Sequence, residues 1–204
     1  NWNDHVQGLF LQHLKDRFKN PEAMNLAFGL HQWSNSVHTW EDMPSTIAAV
    51  NQRLLCEFEK FQRSLVTRFL AWQVDIVRSL KRPDQFIIQN FDADWKDLSH
   101  GINSKVDHFE ASAALDICGI DIYHHVQDKL DGMMIGMLGD LSRSNKNGNY
   151  FVMEASGQNM FYELAYPKQL RLQAFSHIAS GANMIAYWPW HSIHNGIEMY
   201  CKGL

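Results

Sequence analysis

The sequence predicts an α/β protein built around a parallel sheet, and two observations carry this prediction. Short apolar runs recur roughly 30 to 35 residues apart, each flanked by turn residues. The segments between them are long enough for helices, the clearest being Gln169 to Ser180, which is closed by Gly181. Apolar strands that alternate with helices are typical of a parallel sheet buried on both faces. The predicted strands are Phe86–Phe91, Leu115–Tyr123, Asn149–Glu154 and Met184–Trp190.

The residues before the first strand predict helices. Apolar positions in Asn1–Phe18 recur with helical spacing, and Asn20-Pro21 is expected to end that helix. Leu26–Trp40 has no clean period and is predicted to be a loop with short helical turns. A long helix is expected to begin after Pro44-Ser45-Thr46 and to end at Leu80. No linker or low-complexity segment interrupts the chain, so residues 1–204 are predicted to form one domain.

Composition excludes several classes of function. The net charge is −4 with no cluster of Lys and Arg, so nucleic-acid binding is not expected. No apolar run approaches the roughly 18 residues of a membrane span. The three cysteines are far apart and odd in number, which argues against a disulfide framework or a cysteine zinc site and fits a reducing cytoplasm. The seven Trp indicate either a large core or a site for flat sugar faces, and both readings stay open.

Polar and aromatic residues stand where the predicted strands end. In a parallel barrel the carboxyl ends of the strands build the active site. Glu154 is the sharpest candidate, because the apolar residues Phe151-Val152-Met153 carry it to a strand end, where a carboxylate must be solvated or paired. A salt-bridged or rim glutamate is the alternative. Retaining glycoside hydrolysis needs two carboxyl groups about 5–5.5 Å apart, and Glu154 could supply one of them.

The other polar residues near these strand ends have simpler explanations. Glu198 alone would more often be a surface charge. His191 and His194 lie in a loop rather than on a helix, so no metal or other cofactor is expected. Asp121 could hydrogen-bond Tyr123 structurally, which is at least as plausible as direct catalysis.

At these residues the sequence resembles the β-galactosidases of glycoside hydrolase family 42. The resemblance covers nearly the whole chain, and its last block is long and specific. The matching blocks are Leu26–Asp42, Glu57–Ile76, Arg82–Phe91, Asp116–Asp128, Tyr150–Glu154 and Gln169–Gly203.

The resemblance implies a (β/α)8 TIM barrel, of which this chain would be the second half, with strands five to eight and their helices. It gives Glu154 the position of the nucleophile. The acid/base Glu, which follows an Asn in the family, would lie upstream of Asn1. The resemblance also places substrate-binding residues around the sugar: Trp33, Tyr123, Trp188, His191 and Glu198.

These matches together imply a retaining exo-β-galactosidase that acts on small galactosides without a cofactor. The alternatives are another glycoside, such as an α-L-arabinopyranoside, and a sugar-binding or truncated pseudoenzyme without turnover. Family members are often trimers, so a homo-oligomer is expected. Two departures weaken the expected affinity for galactose: Glu163 stands where relatives usually carry a Trp, and Cys201 stands where they carry His or Trp.

Overall fold

A computed structural model describes residues 3–46, 51–92, 106–158 and 163–204. The chain divides into two compact units, Asn1–Val66 and Thr67–Leu204, which are treated separately below. The expectation of a single domain stays a prediction.

The first unit begins with two capped helices. Helix α1 spans Asp4–Arg17, and the Asn3 side chain accepts a hydrogen bond from the Val6 N–H at 2.9 Å. Helix α2 spans Pro21–Phe28 and ends at Gly29, which adopts the left-handed conformation.

Helix α2 corrects the prediction of a loop from Leu26. Asn20-Pro21 does separate two helices as expected, but it also begins the second one. Asn20 caps the helix by accepting from the Ala23 N–H at 2.9 Å, and Pro21 occupies the first turn, where its missing N–H costs nothing. Two short 3-10 turns follow, at Gln32–Ser34 and Trp40–Asp42, in agreement with the expected helical turns.

Helix α3 spans Gln52–Leu80 and confirms the long helix. The predicted start at Ile47 falls in residues 47–50, which lie outside the described residues. Within the first unit, α3 buries Phe58 and Phe61 against Phe10 and Leu14 of α1 and against α2. The ring of Phe10 meets that of Phe58 edge-on, with centroids 5.0 Å apart.

The second unit contains a parallel sheet, which confirms the α/β class. Its strands pair in the order of the chain, β1-β2-β3-β4, and every pairing is parallel. The strands are β1 (Asn90–Asp92), β2 (Cys118–Asp121), β3 (Tyr150–Ser156) and β4 (Ala182–Trp188). The connecting helices are α4 (His108–Ser112), α5 (Gly132–Lys146) and α6 (Gln169–Ala179). The placement of this sheet as the second half of a barrel stays a prediction.

The predicted strand at Phe86–Phe91 is shorter than expected. Ile87 donates its N–H to the Asp116 carboxylate at 2.8 Å and accepts the Asp116 N–H at 2.9 Å. Because Asp116 satisfies these backbone groups, the regular ladder starts only at Asn90.

The other strand boundaries also move by a few residues. Strand β2 is shorter than the predicted strand Leu115–Tyr123, and β3 continues past the predicted end at Glu154 to Ser156. Strand β4 starts two residues before Met184 and ends at Trp188, because Pro189 has no N–H to continue the ladder.

The sheet packs its central strands against helix α5. Ile120 of β2 and Val152 of β3 are fully buried, and they share a core with Met134 and Leu138 of α5. Alternate residues of each strand therefore face α5, which decides where the remaining side chains can point. In the described part of the chain, no helix is long and apolar enough to cross a membrane.

Candidate active site

The carboxyl ends of the four strands bring polar residues to one edge of the sheet. Asn90 and Asp92 belong to β1, Asp121 ends β2, Glu154 lies near the end of β3, and Trp188 ends β4. Because the strands are parallel, these ends share an edge, as the sequence predicted. The side chains arise from segments up to about a hundred residues apart, so only the fold assembles them.

An extra residue in β3 positions Glu154. On β2, Ile120 and Asp121 are consecutive, but their partners on β3 are Val152 and Glu154. The pairing with β4 shows the same irregularity between Val152 and Ala155. Such a bulge interrupts the alternation of side chains. In a regular strand Glu154 would share the face of Val152 and point into the helix-covered core, and the bulge releases it from that face.

The Glu154 carboxylate is held by two side chains, Asn90 of β1 and Tyr123, which lies two residues after the end of β2. Its Oε2 accepts the Tyr123 hydroxyl at 2.5 Å, and its Oε1 accepts the Asn90 side-chain N–H at 3.3 Å. The β2 chain reaches this position because the Ile122 N–H donates to the Glu154 carbonyl at 2.8 Å. Burial, followed by the hydrogen bond and the charge of Glu154, raises the pKa of Tyr123, which therefore stays a hydrogen-bond donor. Each donor binds a different oxygen of Glu154, so the two hydrogen bonds fix the orientation of its carboxyl group.

Asp121 lies beside Glu154 as its cross-strand partner. Burial first, then the charge of Glu154 and more weakly that of Asp92, raises the pKa of Asp121 to about 7, although a hydrogen bond from Asn90 opposes the shift. The hydrogen bond between Asp121 and Tyr123 considered from the sequence is not the arrangement found, because the Tyr123 hydroxyl donates to Glu154.

The segment after β4 contacts the residues that directly follow β3. The Gly157 N–H donates to the Trp188 carbonyl at 2.8 Å, and the Gln158 N–H donates to the Lys202 carbonyl at 3.1 Å. A Cβ on Gly157 would lie 2.7 Å from the Lys202 carbonyl oxygen, so this close approach requires glycine. These hydrogen bonds attach the segment after β4 to Gly157 and Gln158, which follow Glu154 closely in the sequence.

Cys201 belongs to the segment after β4 and interacts with several predicted site residues. It is buried, and burial, followed by the nearby Glu198 charge, raises the pKa of its thiol. The Trp188 side chain hydrogen-bonds its sulfur, and the electrostatic influence of Cys201 reaches Tyr123. Cys201 therefore interacts with Trp188, Glu198 and Tyr123, of which only Tyr123 contacts Glu154 directly.

Two predicted substrate-binding residues are not tied to Glu154 by these contacts. Trp33 belongs to the first unit, where it is 85% exposed and has a left-handed backbone with φ 57°. His191 is exposed, and its ring meets that of Trp190 edge-on at 6.3 Å. The roles of Trp33 and His191 in binding a sugar stay predictions.

Glu163, which departs from the family pattern, is engaged in an ion pair. Its carboxylate lies 2.6 Å from the Lys129 ammonium group. Lys129 follows β2, and Glu163 lies between β3 and α6. Gln169 joins the same two segments, because its side chain accepts the Gln127 N–H at 2.7 Å and donates to the Gln127 carbonyl at 2.8 Å. The loop after β2 is therefore attached to the segment between β3 and α6.

A buried histidine pair behind the site was not anticipated from the sequence. The Nε2 atoms of His124 and His177 lie 2.7 Å apart, and the His177 Nδ1 lies 3.0 Å from the Tyr150 hydroxyl. Burial lowers the pKa of both rings, so both are neutral, and one Nε2 donates to the other. The sequence does not predict this pair, because His177 belongs to helix α6 and lies far from His124 along the chain.

Among the described residues, no group of three or more His, Cys, Asp or Glu side chains could hold a metal ion. The polar groups at this edge of the sheet include the carboxyl groups of Asp121 and Glu154, the Tyr123 phenol and the Asn90 amide. A charged carboxylate fixed by two donors, beside a second carboxyl group, is suited to attack an electrophilic carbon or to stabilise positive charge on it.

The fold and this edge define a parallel α/β protein with a carboxylate site at its strand ends. The model of glycoside hydrolase family 42, described as β-galactosidase, matches residues 1–204. The chain belongs to this family, as the resemblance indicated.

Curated relatives carry the same description. The β-galactosidase LacA of Lactobacillus acidophilus is 23% identical over 206 residues, which cover 97% of this chain and 30% of the relative. The β-galactosidase BgaH of Haloferax lucentense is 26% identical over 217 residues, which cover 96% of this chain and 31% of the relative. The chain thus spans about a third of the length of these curated relatives.

Solved structures share the fold. The β-galactosidase of Halorubrum lacusprofundi superposes with a TM-score of 0.86 at 24% identity, covering 99% of this chain and 32% of that one. The β-galactosidase of the psychrophilic Marinomonas ef1 superposes with a TM-score of 0.87 at 19% identity, covering 100% of this chain and 33% of that one.

Proposed function

We propose that the protein containing this chain is a retaining exo-β-galactosidase with Glu154 as its nucleophile. One observation carries the proposal: in a member of this family, a bulge in β3 presents Glu154 at the carboxyl edge of a parallel sheet, where Tyr123 and Asn90 hold its carboxylate. The β-galactosidase names of the relatives support the choice of substrate.

The proposed mechanism has two displacements. A Glu154 oxygen attacks the anomeric carbon, a C–O bond forms, and the bond to the leaving oxygen breaks to give a galactosyl ester. Water then attacks the same carbon and releases Glu154 as a carboxylate. Tyr123 and Asn90 keep both oxygens of the carboxylate in place, so that little reorganisation precedes attack.

A second carboxyl group must protonate the leaving oxygen and then activate water. We assign this role to a Glu encoded upstream of Asn1, following the family resemblance. We likewise propose that β1 to β4 are strands five to eight of a barrel. The sequential parallel order and the superposition on about a third of each solved β-galactosidase support this placement.

The proposed sugar contacts are those implied by the resemblance. Trp188 hydrogen-bonds the buried Cys201, whose thiol also interacts electrostatically with Glu198 and Tyr123, and this supports a common binding site for Tyr123, Trp188 and Glu198. Trp33 and His191 are proposed as further contacts to the sugar. The substrate would be a small galactoside, and a homotrimer is the proposed assembly by resemblance.

The test is the substitution Glu154→Gln in the full-length protein that contains this chain. It preserves size and removes the attacking charge, so hydrolysis of an aryl β-galactoside should fall by about 10³ or more. The matched control is Glu110→Gln on helix α4, an exposed carboxylate of the same type. Retention of more than about a tenth of the activity in Glu154→Gln, with an active control, would remove Glu154 from the mechanism.

A further inference from the structure

Asp121 and Glu154 form a pair of carboxyl groups on adjacent strands. They are cross-strand partners at the bulge in β3, and the Asn90 side chain hydrogen-bonds both of them. Two carboxylates that share one donor lie close enough to repel one another, so the pair is most stable with a single negative charge.

The surroundings decide which member carries that charge. Glu154 accepts one hydrogen bond at each oxygen, from Tyr123 and from Asn90. Asp121 has a buried Oδ1 with no hydrogen-bond partner in the described part of the chain. A charged oxygen buried without a partner is costly, whereas a neutral acid tolerates that position better. The charge therefore resides on Glu154 and the proton on Asp121.

The charged groups that face Asp121 reinforce this assignment. Glu154 lies on β3 and Asp92 on β1, and both are acidic, while Asn90 contributes only a neutral donor. Burial together with these two charges raises the pKa of Asp121 to about 7. Because the charge of Glu154 raises the pKa of Asp121 more than that of Asp92 does, a change in the charge of Glu154 must alter proton binding at Asp121.

We propose that Asp121 is a positioning residue that holds a proton while Glu154 is charged and releases it to solvent when Glu154 becomes a glycosyl ester. This inference rests on the proposed function, since it requires an ester at Glu154.

The charges balance through both displacements. Formation of the ester bond converts the Glu154 carboxylate into a neutral group, so the repulsion that adds to burial at Asp121 disappears, the pKa of Asp121 falls, and Asp121 releases its proton to solvent. When water cleaves the ester, Glu154 recovers its charge and Asp121 takes up one proton from solvent. The negative charge lost at Glu154 is thus partly restored at Asp121, close to the positive charge that develops on the anomeric carbon.

The experiment measures protons released as the glycosyl-enzyme forms. The full-length protein is mixed, at about pH 6.5 in weak buffer with an indicator dye, with 2-deoxy-2-fluoro-β-galactosyl fluoride, which forms a slowly hydrolysed ester. Fluoride release and the intact mass count the esters formed. The upstream acid/base can also release a proton, so the comparison is between the wild-type protein and Asp121→Asn. The matched control is Asp84→Asn, an exposed aspartate paired with Arg82.

The expected result is a difference in the acid released per ester between Asp121→Asn and the other two proteins. Wild type and Asp84→Asn should release equal amounts of acid, and Asp121→Asn should release less, by up to about one proton per ester. Equal release in Asp121→Asn and wild type would overturn the role of Asp121 and leave the proposed function intact. Absence of any ester in the wild-type protein would instead overturn the proposed function.

A second measurement covers the case in which Asp121→Asn forms no ester. Wild-type protein labelled with ¹³C at its aspartate carboxyl groups is compared by infrared difference spectroscopy before and after ester formation. The inference predicts loss of a protonated carboxyl band that shifts with the label. A spectrum in which no labelled band changes would overturn it.

Discussion

Tyr123 and Asn90 hold the carboxylate of the proposed nucleophile, although the proposed mechanism gives them no bond-making step. Each donates to a different oxygen of Glu154, from strands on the same side of β3. Such donors hold a carboxylate in one orientation and favour its charged form, which is the form that attacks. The site is therefore a set of hydrogen bonds around one carboxylate rather than an isolated acidic residue.

Removing the Tyr123 hydroxyl tests this arrangement. Tyr123→Phe keeps the ring and deletes one hydrogen bond to a charged group, which is worth about 1.5–3 kcal/mol. We expect kcat/KM for an aryl β-galactoside to fall about ten- to a hundredfold. The control is Tyr166→Phe, since Tyr166 is 47% exposed. Equal kcat/KM in Tyr123→Phe and wild type would show that the hydroxyl does not support the reacting carboxylate.

At this scale the sequence predicts Glu154 and Tyr123 but not how they meet. Glu154 is recognisable because an apolar strand leads to it. Asn90 and Asp121 stand at strand ends too, yet their contacts with Glu154 depend on the register between strands. A bulge changes that register by one residue, and nothing in the local sequence of β3 specifies it.

Helices and strands follow the apolar pattern of the sequence closely, and the exceptions have local causes. Helix α6 was expected at Gln169–Ser180 and spans Gln169–Ala179. Strand β1 is shorter than its apolar run because the Asp116 side chain and backbone bond Ile87. Periodicity reports which side chains are buried, but it does not report which partner satisfies a backbone group.

Gln169 at the start of α6 joins two loops of the site. Its side chain makes hydrogen bonds to Gln127 in both directions and also accepts the Tyr166 N–H at 2.8 Å. This attachment explains how Gln127 maintains a left-handed backbone with φ 57°. The loop after β2 and the segment before α6 are therefore expected to open together.

Gln169→Ala should release both segments. Loss of these hydrogen bonds should cost about 1–3 kcal/mol, measured by thermal unfolding, and should speed amide hydrogen exchange near Gln127 and Tyr166. Lys129→Gln is the comparison, because it removes only the exposed ion pair with Glu163, worth less than about 1 kcal/mol. A larger loss of stability in Lys129→Gln than in Gln169→Ala would contradict this assignment.

For the whole molecule, the His124–His177 pair predicts sensitivity to acid. Burial lowers the pKa of both rings below the usual 6.5. Above pH 6.5 neither the folded nor the unfolded state binds these protons. Below it the unfolded chain binds them first, so stability falls as the pH drops toward the lowered values.

The measurement is the unfolding temperature of the full-length protein across this pH range. Wild type should lose stability on acidification, and a double variant, His124→Gln with His177→Gln, should lose less between about pH 6.5 and pH 4.5. His194→Gln, an exposed histidine, should behave as wild type. Parallel curves for wild type and the double variant would rule out the pair as the source of acid sensitivity.

The family model matches the full length of this chain, whereas the chain spans about a third of its relatives. The sequence predicts the α/β class from its recurring apolar runs, and it predicts the family from the long matching block Gln169–Gly203. It could not predict the fold of the segment after β4 onto Gly157, which depends on contacts between distant backbone atoms. The half-barrel and the upstream acid/base remain proposals that rest on the family resemblance.

The most direct test is to locate the covalent bond. The full-length protein is trapped with 2-deoxy-2-fluoro-β-galactosyl fluoride and digested, and the peptide that carries the sugar is sequenced by tandem mass spectrometry. We expect a single ester, on Glu154, in the peptide from the bulged strand β3. An ester on another carboxylate, such as Asp121 or Glu198, would contradict the assignment of Glu154 as the nucleophile.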